Sequence, residues 1–128
     1  MHVLLDTHVF LWWITDDLRL SERARAILRS ADNTLHFSAA SGWEIAIKVR
    51  TGKLELPSEP EPFIVRELHH NQIRPFPIQL RHALHTYVLP MLHRDPFDRM
   101  LIAQSQLENL PILTVDWAIT QYAVDTIW

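Results

Sequence analysis

Four carboxylates in distant parts of this 128-residue chain could together hold a divalent metal ion. Asp6 and Asp116 each follow a short apolar run, while Glu44 and Asp98 each stand near the start of a helix-like segment. Clustered carboxylates repel one another and raise one another's pKa, and a divalent cation relieves that repulsion. Oxygen ligands of this kind suit Mg²⁺ or Mn²⁺. Such an ion would support phosphodiester hydrolysis, because it activates water and neutralises charge developing on the phosphate.

The stretch HRDPFDRMLIAQ, residues 93–104, carries two of the candidate acids and has a simple structural interpretation as well. Asp95 followed by Pro96 is typical of a helix N-cap with proline at the first helical position. Asp98 then falls at the third position, where the positive end of the helix dipole also favours a carboxylate. We therefore expect Asp95 to cap the helix and Asp98 to turn into a pocket as a ligand.

The chain as a whole alternates short β-like runs with longer helix-like runs. This alternation predicts one domain, residues 1–128, with a three-layer α/β/α fold around a parallel sheet. Ser21 is the expected N-cap of the second helix, and Gly52 is expected to end the third. The predicted strands cover 2–5, 34–39, 73–78, 111–115 and 124–128, and the predicted helices cover 9–14, 22–30, 40–50, 63–70, 79–89, 96–109 and a short segment from Trp117.

This framework brings the four acids to one edge of the sheet. Asp6 ends the first strand and Asp116 follows PILTV, so both emerge at the carboxyl edge, where open parallel sheets bind ligands. The helices that carry Glu44 and Asp98 start from the same edge. Taken singly, each acid could cap a helix or be a solvated side chain. Convergence of all four from distant parts of the chain favours a metal site.

Composition limits the other functions. The absence of cysteine excludes a thiol nucleophile and a cysteine-ligated zinc, and the only two glycines, Gly42 and Gly52, cannot build a nucleotide-binding glycine loop. The eight histidines lack the spacing of zinc peptidases. A net charge of −3 is not that of a protein that binds nucleic acid by bulk attraction. With no leader-like or bilayer-length apolar segment, we expect a soluble, cytoplasmic protein without membrane contact.

Four segments between residues 4 and 116 resemble the PIN-domain ribonucleases, specifically the toxins of VapBC toxin–antitoxin modules: LLDTHVFLWW, SAASGWEIAIKVRTGKLELP, HRDPFDRMLIAQ and PILTVD. The resemblance implies an endoribonuclease that depends on Mg²⁺ or Mn²⁺, forms a homodimer, cleaves RNA and is inhibited by a VapB-type antitoxin. It also implies catalytic and metal-binding roles for the four acids: Asp6, Glu44, Asp98 and Asp116. Three further positions match residues that support the acids in this family: Thr7, Thr114 and Asp95.

An alternative hypothesis is a PIN-like protein-interaction module without catalysis, in which the acids hold a structural ion. Retention of all four carboxylates argues against this hypothesis, and a cleavage assay decides between the ribonuclease and the interaction module.

Basic and aromatic residues near these segments suggest two contact surfaces. Three basic residues could contact RNA phosphate, although each could also be an ordinary solvated or helix-end side chain: Lys48, Arg50 and Arg99. VFLWWI, residues 9–14, is too apolar for a helix that faces the core along one stripe. It is either buried within its own domain or presents part of its surface to a dimer partner or to an amphipathic antitoxin helix, through Phe10, Trp12 or Trp13.

Overall fold

The computed structural model describes residues 1–128 and contains one parallel sheet of five strands in the order β3-β2-β1-β4-β5. The order reverses at the centre, because β2 and β3 lie on one side of β1 while β4 and β5 lie on the other. The carboxyl ends of β1 and β4 therefore frame the switch point where open parallel sheets bind ligands. The strands are β1 His2–Leu5, β2 Thr34–Ser38, β3 Ile73–Phe76, β4 Ile112–Leu113 and β5 Thr126–Ile127.

Seven α-helices connect and cover the strands: α1 Thr7–Ile14, α2 Glu22–Arg29, α3 Ala39–Arg50, α4 Pro60–His70, α5 Leu80–His85, α6 Pro96–Glu108 and α7 Trp117–Thr120. Their ends follow the sequence signals. Ser21 accepts a hydrogen bond from the Ala24 amide at 3.0 Å, and Gly52 follows the end of α3 with a φ of 77°. Both capping predictions are confirmed. None of these helices combines the length and the apolar character needed to cross a membrane.

Two apolar cores lie on opposite faces of the sheet. Val3 and Leu5 face the core under α1, α2 and α4, whereas Leu4 between them faces the core under α6 and α7. This alternation follows from the two-residue period of a strand. Helix α3 contributes Ile45 to the first core and Ala40 to the second. The predicted three-layer α/β/α sandwich with a central parallel sheet is confirmed.

Several elements are shorter than the sequence predicts, among them α5 and β4. The helix expected over 79–89 divides into α5 and a 3₁₀ turn, Thr86–Val88. The strand expected over 111–115 is regular only at Ile112–Leu113. Thr114 still donates its amide to the Ile127 carbonyl at 3.1 Å, and its hydroxyl accepts the Asp116 amide at 3.0 Å, which forms a turn directly after the strand. This turn delivers Asp116 to the switch point.

Most side chains of helix α1 are buried or half-buried within the chain. Phe10 is fully buried against Phe37, with ring centroids 4.5 Å apart, so the prediction that Phe10 lines a partner surface is wrong. Its side chain lies on the stripe of α1 that faces the sheet. Trp12 is half-buried: it packs edge-on against Trp128 and lies beneath the guanidinium of Arg19 at 4.8 Å. Much of the apolar excess of this helix is therefore covered within the domain.

Because Phe10 is buried, its truncation should destabilise the protein. Phe10→Ala should lower the free energy of unfolding by about 3–5 kcal/mol, because it removes a core ring and leaves a cavity. Val65→Ala is the matched control, since Val65 is 60% exposed on α4 and its truncation should change stability by less than about 0.5 kcal/mol. Urea unfolding followed by tryptophan fluorescence measures both. Equal midpoints for Phe10→Ala and wild type would contradict this placement.

Candidate metal centre

The backbone itself brings Asp6 and Asp116 to the switch point. Asp6 follows β1 and caps α1, with one carboxylate oxygen 3.4 Å from the His8 amide. Asp116 caps α7 in the same way and accepts from the Ala118 amide at 2.9 Å. Capping therefore uses Oδ1 of each carboxylate and does not use Oδ2. The capping and the metal-site interpretations are compatible at both positions.

Thr114 connects the carboxylate of Asp6 with the backbone of Asp116. Its hydroxyl donates a 2.6 Å hydrogen bond to Oδ2 of Asp6 and accepts the Asp116 amide. The predicted supporting role of Thr114 therefore has a direct structural basis. Thr7 plays a different part, because its hydroxyl donates to Ser41 on α3 at 2.7 Å and ties α1 to the helix that carries Glu44.

The stretch 93–104 is expected to cap a helix and to supply a metal ligand, and these two roles fall to different aspartates. Asp95 Oδ1 accepts hydrogen bonds from the Phe97 amide at 2.8 Å and the Asp98 amide at 3.3 Å, which confirms it as the N-cap of α6. The buried carboxylate of Asp98 instead lies 2.8 Å from Nε2 of His93. The carboxylate of Asp98 therefore does not cap the helix, and it faces the acidic edge of the sheet.

His93 is a member of the cluster that the sequence reasoning missed. Ligand atoms of His93, Asp98 and Asp116 all lie within 4.8 Å of one another. The available signal was the position of His93 at the start of the stretch 93–104. Because His93 lies in a loop, no helical or strand period fixes where its ring points, so the sequence alone does not predict its contact with Asp98.

Glu44 is buried in the middle of α3 but is not part of that three-residue group. Its Oε2 accepts a 2.7 Å hydrogen bond from Lys48, whereas its buried Oε1 has no hydrogen-bond partner. Buried carboxylate oxygens require a partner. An ion near Glu44 would supply one.

Burial and mutual repulsion raise the pKa of two of the acids. The pKa of Asp98 rises from 3.8 to about 7, first because the carboxyl is buried and then because Asp95, Asp6 and Asp116 add negative charge, against the opposing hydrogen bond from His93. Burial also raises the pKa of Asp6, against the hydrogen bond from Thr114. Without a cation, the folded protein resists full ionisation of this cluster.

The donor set fits a divalent ion. It contains carboxylate oxygens and one imidazole nitrogen, together with the unpartnered oxygen of Glu44. Carboxylates and imidazole are ligands of first-row divalent ions, and Mg²⁺ accepts the carboxylates. The residues most directly placed to hold the ion are His93, Asp98 and Asp116, with Asp6 close enough to raise the pKa of Asp98.

The predicted basic contacts have different environments. Lys48 is paired with Glu44, and Arg50 is exposed at the end of α3. Arg99 on α6 donates to the carbonyls of Thr86 at 2.9 Å and Pro90 at 3.0 Å. The guanidinium of Arg99 therefore has a structural role through these protein acceptors, and the RNA contact expected of Arg99 stays a prediction.

The fold and site together define an α/β protein with an acidic ligand site at the switch point of a parallel sheet. The family model named PIN domain matches residues 3–125, and the chain belongs to this family.

Individual relatives agree with this assignment. Ribonuclease VapC16 of Mycobacterium tuberculosis (strain ATCC 25618 / H37Rv) is 32% identical over 78 residues, and the alignment covers 55% of each protein. This chain therefore matches about half the length of that relative. Among solved structures, a chain of VapBC2 from Rickettsia felis bound to a DNA fragment from their promoter has a TM-score of 0.69 at 14% identity, covering 99% of this chain and 98% of that one. FitAcB from Neisseria gonorrhoeae has a TM-score of 0.59 at 19% identity, covering 100% and 97%. These two structures share the fold.

The raised pKa of Asp98 predicts how stability depends on pH in EDTA. The folded state keeps this proton up to about pH 7, whereas the unfolded chain loses it near pH 4. The free energy of unfolding should therefore fall as the pH rises between these values. Asp98→Asn should flatten the fall and be more stable than wild type at pH 8. Urea unfolding at pH 4.5, 6 and 8 measures this, with the exposed Asp32→Asn as control. The same pH dependence in wild type and Asp98→Asn would contradict the placement of Asp98.

Proposed function

We propose that this protein is a divalent-metal-dependent endoribonuclease that acts as the toxin of a type II toxin–antitoxin module. The observation that carries this proposal is the meeting of Asp6, Asp98 and Asp116 at the switch point of a PIN-family fold. The relative named Ribonuclease VapC16 supports the activity, and the structural neighbour VapBC2 supports the module. The proposed reaction is hydrolysis of an RNA phosphodiester bond, and the proposed location is the cytoplasm, where such RNA is found.

The chain's own residues would prepare this reaction. When bound, Mg²⁺ or Mn²⁺ would supply activation of water and neutralisation of negative charge on the phosphate. Asp98 and Asp116 would hold the ion, and Thr114 would fix the orientation of Asp6 beside it. Glu44 would complete the negative charge of the pocket, while Lys48 limits the repulsion around it.

Two exposed tryptophans next to the acids favour an unpaired RNA strand as substrate. Trp43, which precedes Glu44, is 60% exposed, and Trp117, which follows Asp116, is 73% exposed. Bases of a single strand stack on such rings without sequence preference, at about 1–3 kcal/mol per base. Exposed Arg50 is a candidate phosphate contact on the same helix as Trp43.

Cleavage of a single-stranded RNA oligonucleotide tests the function directly. Purified protein should cut it with Mg²⁺ or Mn²⁺ and stop when EDTA is added. Asp6→Asn and Asp98→Asn should each reduce the rate at least about 100-fold, because loss of a ligand should cost no less than the 10–100-fold typical of residues that support ligands. Asp32→Asn, an exposed acid away from the cluster, should keep the wild-type rate.

Full activity in either site variant would contradict the metal assignment. Ion binding by wild type without cleavage of any RNA would instead favour a protein-interaction module that holds a structural ion.

We propose the groove beside α1 as the antitoxin site. This groove, of about 530 Å³, is lined by apolar side chains that include Leu11, Trp12 and Phe63. Its rim is charged with both signs, through residues such as Lys53 and Glu67. An amphipathic helix that folds on binding fits an apolar groove with a charged rim. Trp12 keeps the partner role predicted from the sequence, whereas buried Phe10 does not.

A separate apolar surface is the proposed homodimer contact. Helix α5 and the loop after it expose Leu84, Tyr87, Val88, Met91 and Leu92, and a soluble monomer seldom leaves such a patch uncovered. This moves the dimer contact away from the α1 surface suggested by the sequence. A second copy of the chain presents the same patch, so the surface can pair with itself about a two-fold axis.

Sedimentation velocity at about 20 µM tests the dimer. The wild type should sediment as a dimer, and Tyr87→Glu should weaken association at least about 10-fold, because it places a charge in a buried aromatic contact. Leu18→Glu is the matched control, since Leu18 is 94% exposed on the turn before α2, outside the patch. A monomeric wild type, or equal weakening by both variants, would contradict the proposed contact.

A further inference from the structure

The loop from Leu89 to His93 is held by two side chains rather than by regular secondary structure. Tyr122, which follows α7, accepts hydrogen bonds from the amides of Leu92 at 3.2 Å and His93 at 2.9 Å, and donates to the Pro90 carbonyl at 2.9 Å. Arg99 on α6 reaches the phenol oxygen of Tyr122 at 3.1 Å. The two side chains form one clamp around the loop.

The Arg99 side of the clamp extends over the preceding turn. Its guanidinium donates to the Thr86 and Pro90 carbonyls, as described above, and reaches the Leu89 and His93 carbonyls at 3.4 Å. The buried ring of Tyr122 anchors the other side in the core under α6 and α7. The backbone of His93 is therefore fixed at both its amide and its carbonyl, which restricts where the imidazole can point.

We propose that His93 is a nitrogen ligand of the divalent ion at Asp98 and Asp116, and that Arg99 and Tyr122 are the residues that position it. The inference rests on the proposed function, because it places the ion at this site. Its basis is the spacing of the three ligand atoms, which lie within 4.8 Å of one another, and the clamp that aims the ring at them. A merely supporting histidine would contact Asp98 without approaching Asp116.

A nitrogen ligand changes which ion the site prefers. The four carboxylates alone form an all-oxygen set that suits Mg²⁺, whereas imidazole suits later first-row ions and is a poor ligand for Mg²⁺. His93 should therefore raise the affinity for Mn²⁺ relative to Mg²⁺. Removing the imidazole should cost Mn²⁺ binding more than Mg²⁺ binding.

Pulsed electron paramagnetic resonance of the protein loaded with Mn²⁺ detects the ligand directly. Wild type should show coupling to a nitrogen nucleus, and the coupling should change to that of ¹⁵N when the histidines are labelled with ¹⁵N. His93→Gln should lose it. His8→Gln is the matched control, because His8 is an exposed histidine whose charge acts on Asp6, and the coupling should remain.

Calorimetry gives a second readout that does not depend on activity. His93→Gln should weaken Mn²⁺ binding at least about 10-fold and change Mg²⁺ binding less. Tyr122→Phe keeps the buried ring but leaves the Leu92 and His93 amides without their acceptor, so it should weaken Mn²⁺ binding in the same direction by a smaller factor. A purely structural effect of Tyr122→Phe would instead leave the ratio of Mn²⁺ to Mg²⁺ affinity unchanged.

The outcomes separate this inference from the proposed function. Bound Mn²⁺ without nitrogen coupling in wild type would overturn the His93 assignment and leave the ribonuclease proposal intact. Absence of Mn²⁺ binding in wild type would contradict both. If His93→Gln does not fold, the ¹⁵N-labelled wild type still decides, because a spectrum unaltered by labelling excludes any histidine ligand.

Discussion

The electrostatic repulsion among carboxylates at one sheet edge is the constraint that organises this protein. Asp6 and Asp116 approach Asp98 closely enough to raise its pKa, and the surrounding structure compensates for part of the cost. The carboxylate of Asp6 accepts hydrogen bonds from Thr114 and from a helix amide. The carboxylate of Asp116 also accepts from a helix amide, and that of Asp98 contacts His93. Such compensation is expected where function requires a locally unfavourable arrangement. The remaining repulsion is what a divalent cation would remove.

The sequence predicts the elements of the fold well because their signals are local. Ser21 and Asp95 are followed by helices that they cap, Gly52 has the positive φ that a helix end favours, and the alternation of Val3, Leu4 and Leu5 separates two cores. The edge position of the acids also follows from topology, since parallel strands place their carboxyl ends together. These features depend on neighbours along the chain or on a general rule of sheet geometry.

The sequence predicts the surroundings of the site less well because they depend on contacts between distant segments. Arg99 looks like a free cation in HRDPFDR, yet the 3₁₀ turn and Tyr122 bind it. His93 carries no periodic signal, and its backbone amide is bound by Tyr122, which lies 29 residues further along the chain. Phe10 belongs to a uniformly apolar run, in which composition does not indicate the side that faces the sheet. Tertiary packing decides all three.

The hydrogen bond between Thr114 and Asp6 joins residues 108 positions apart, so the acidic edge is assembled only after this whole interval of the chain has been synthesised. Ribosomes release the chain from its amino end, so β1 and Asp6 emerge long before β4 exists. Pairing of β1 with β4 closes a loop of nearly the whole domain, and contacts of such long range form late in folding. An incomplete nascent chain thus lacks the assembled acidic edge. A protein that cuts RNA in this way would be inactive toward the messenger RNA that encodes it until residue 114 has left the ribosome.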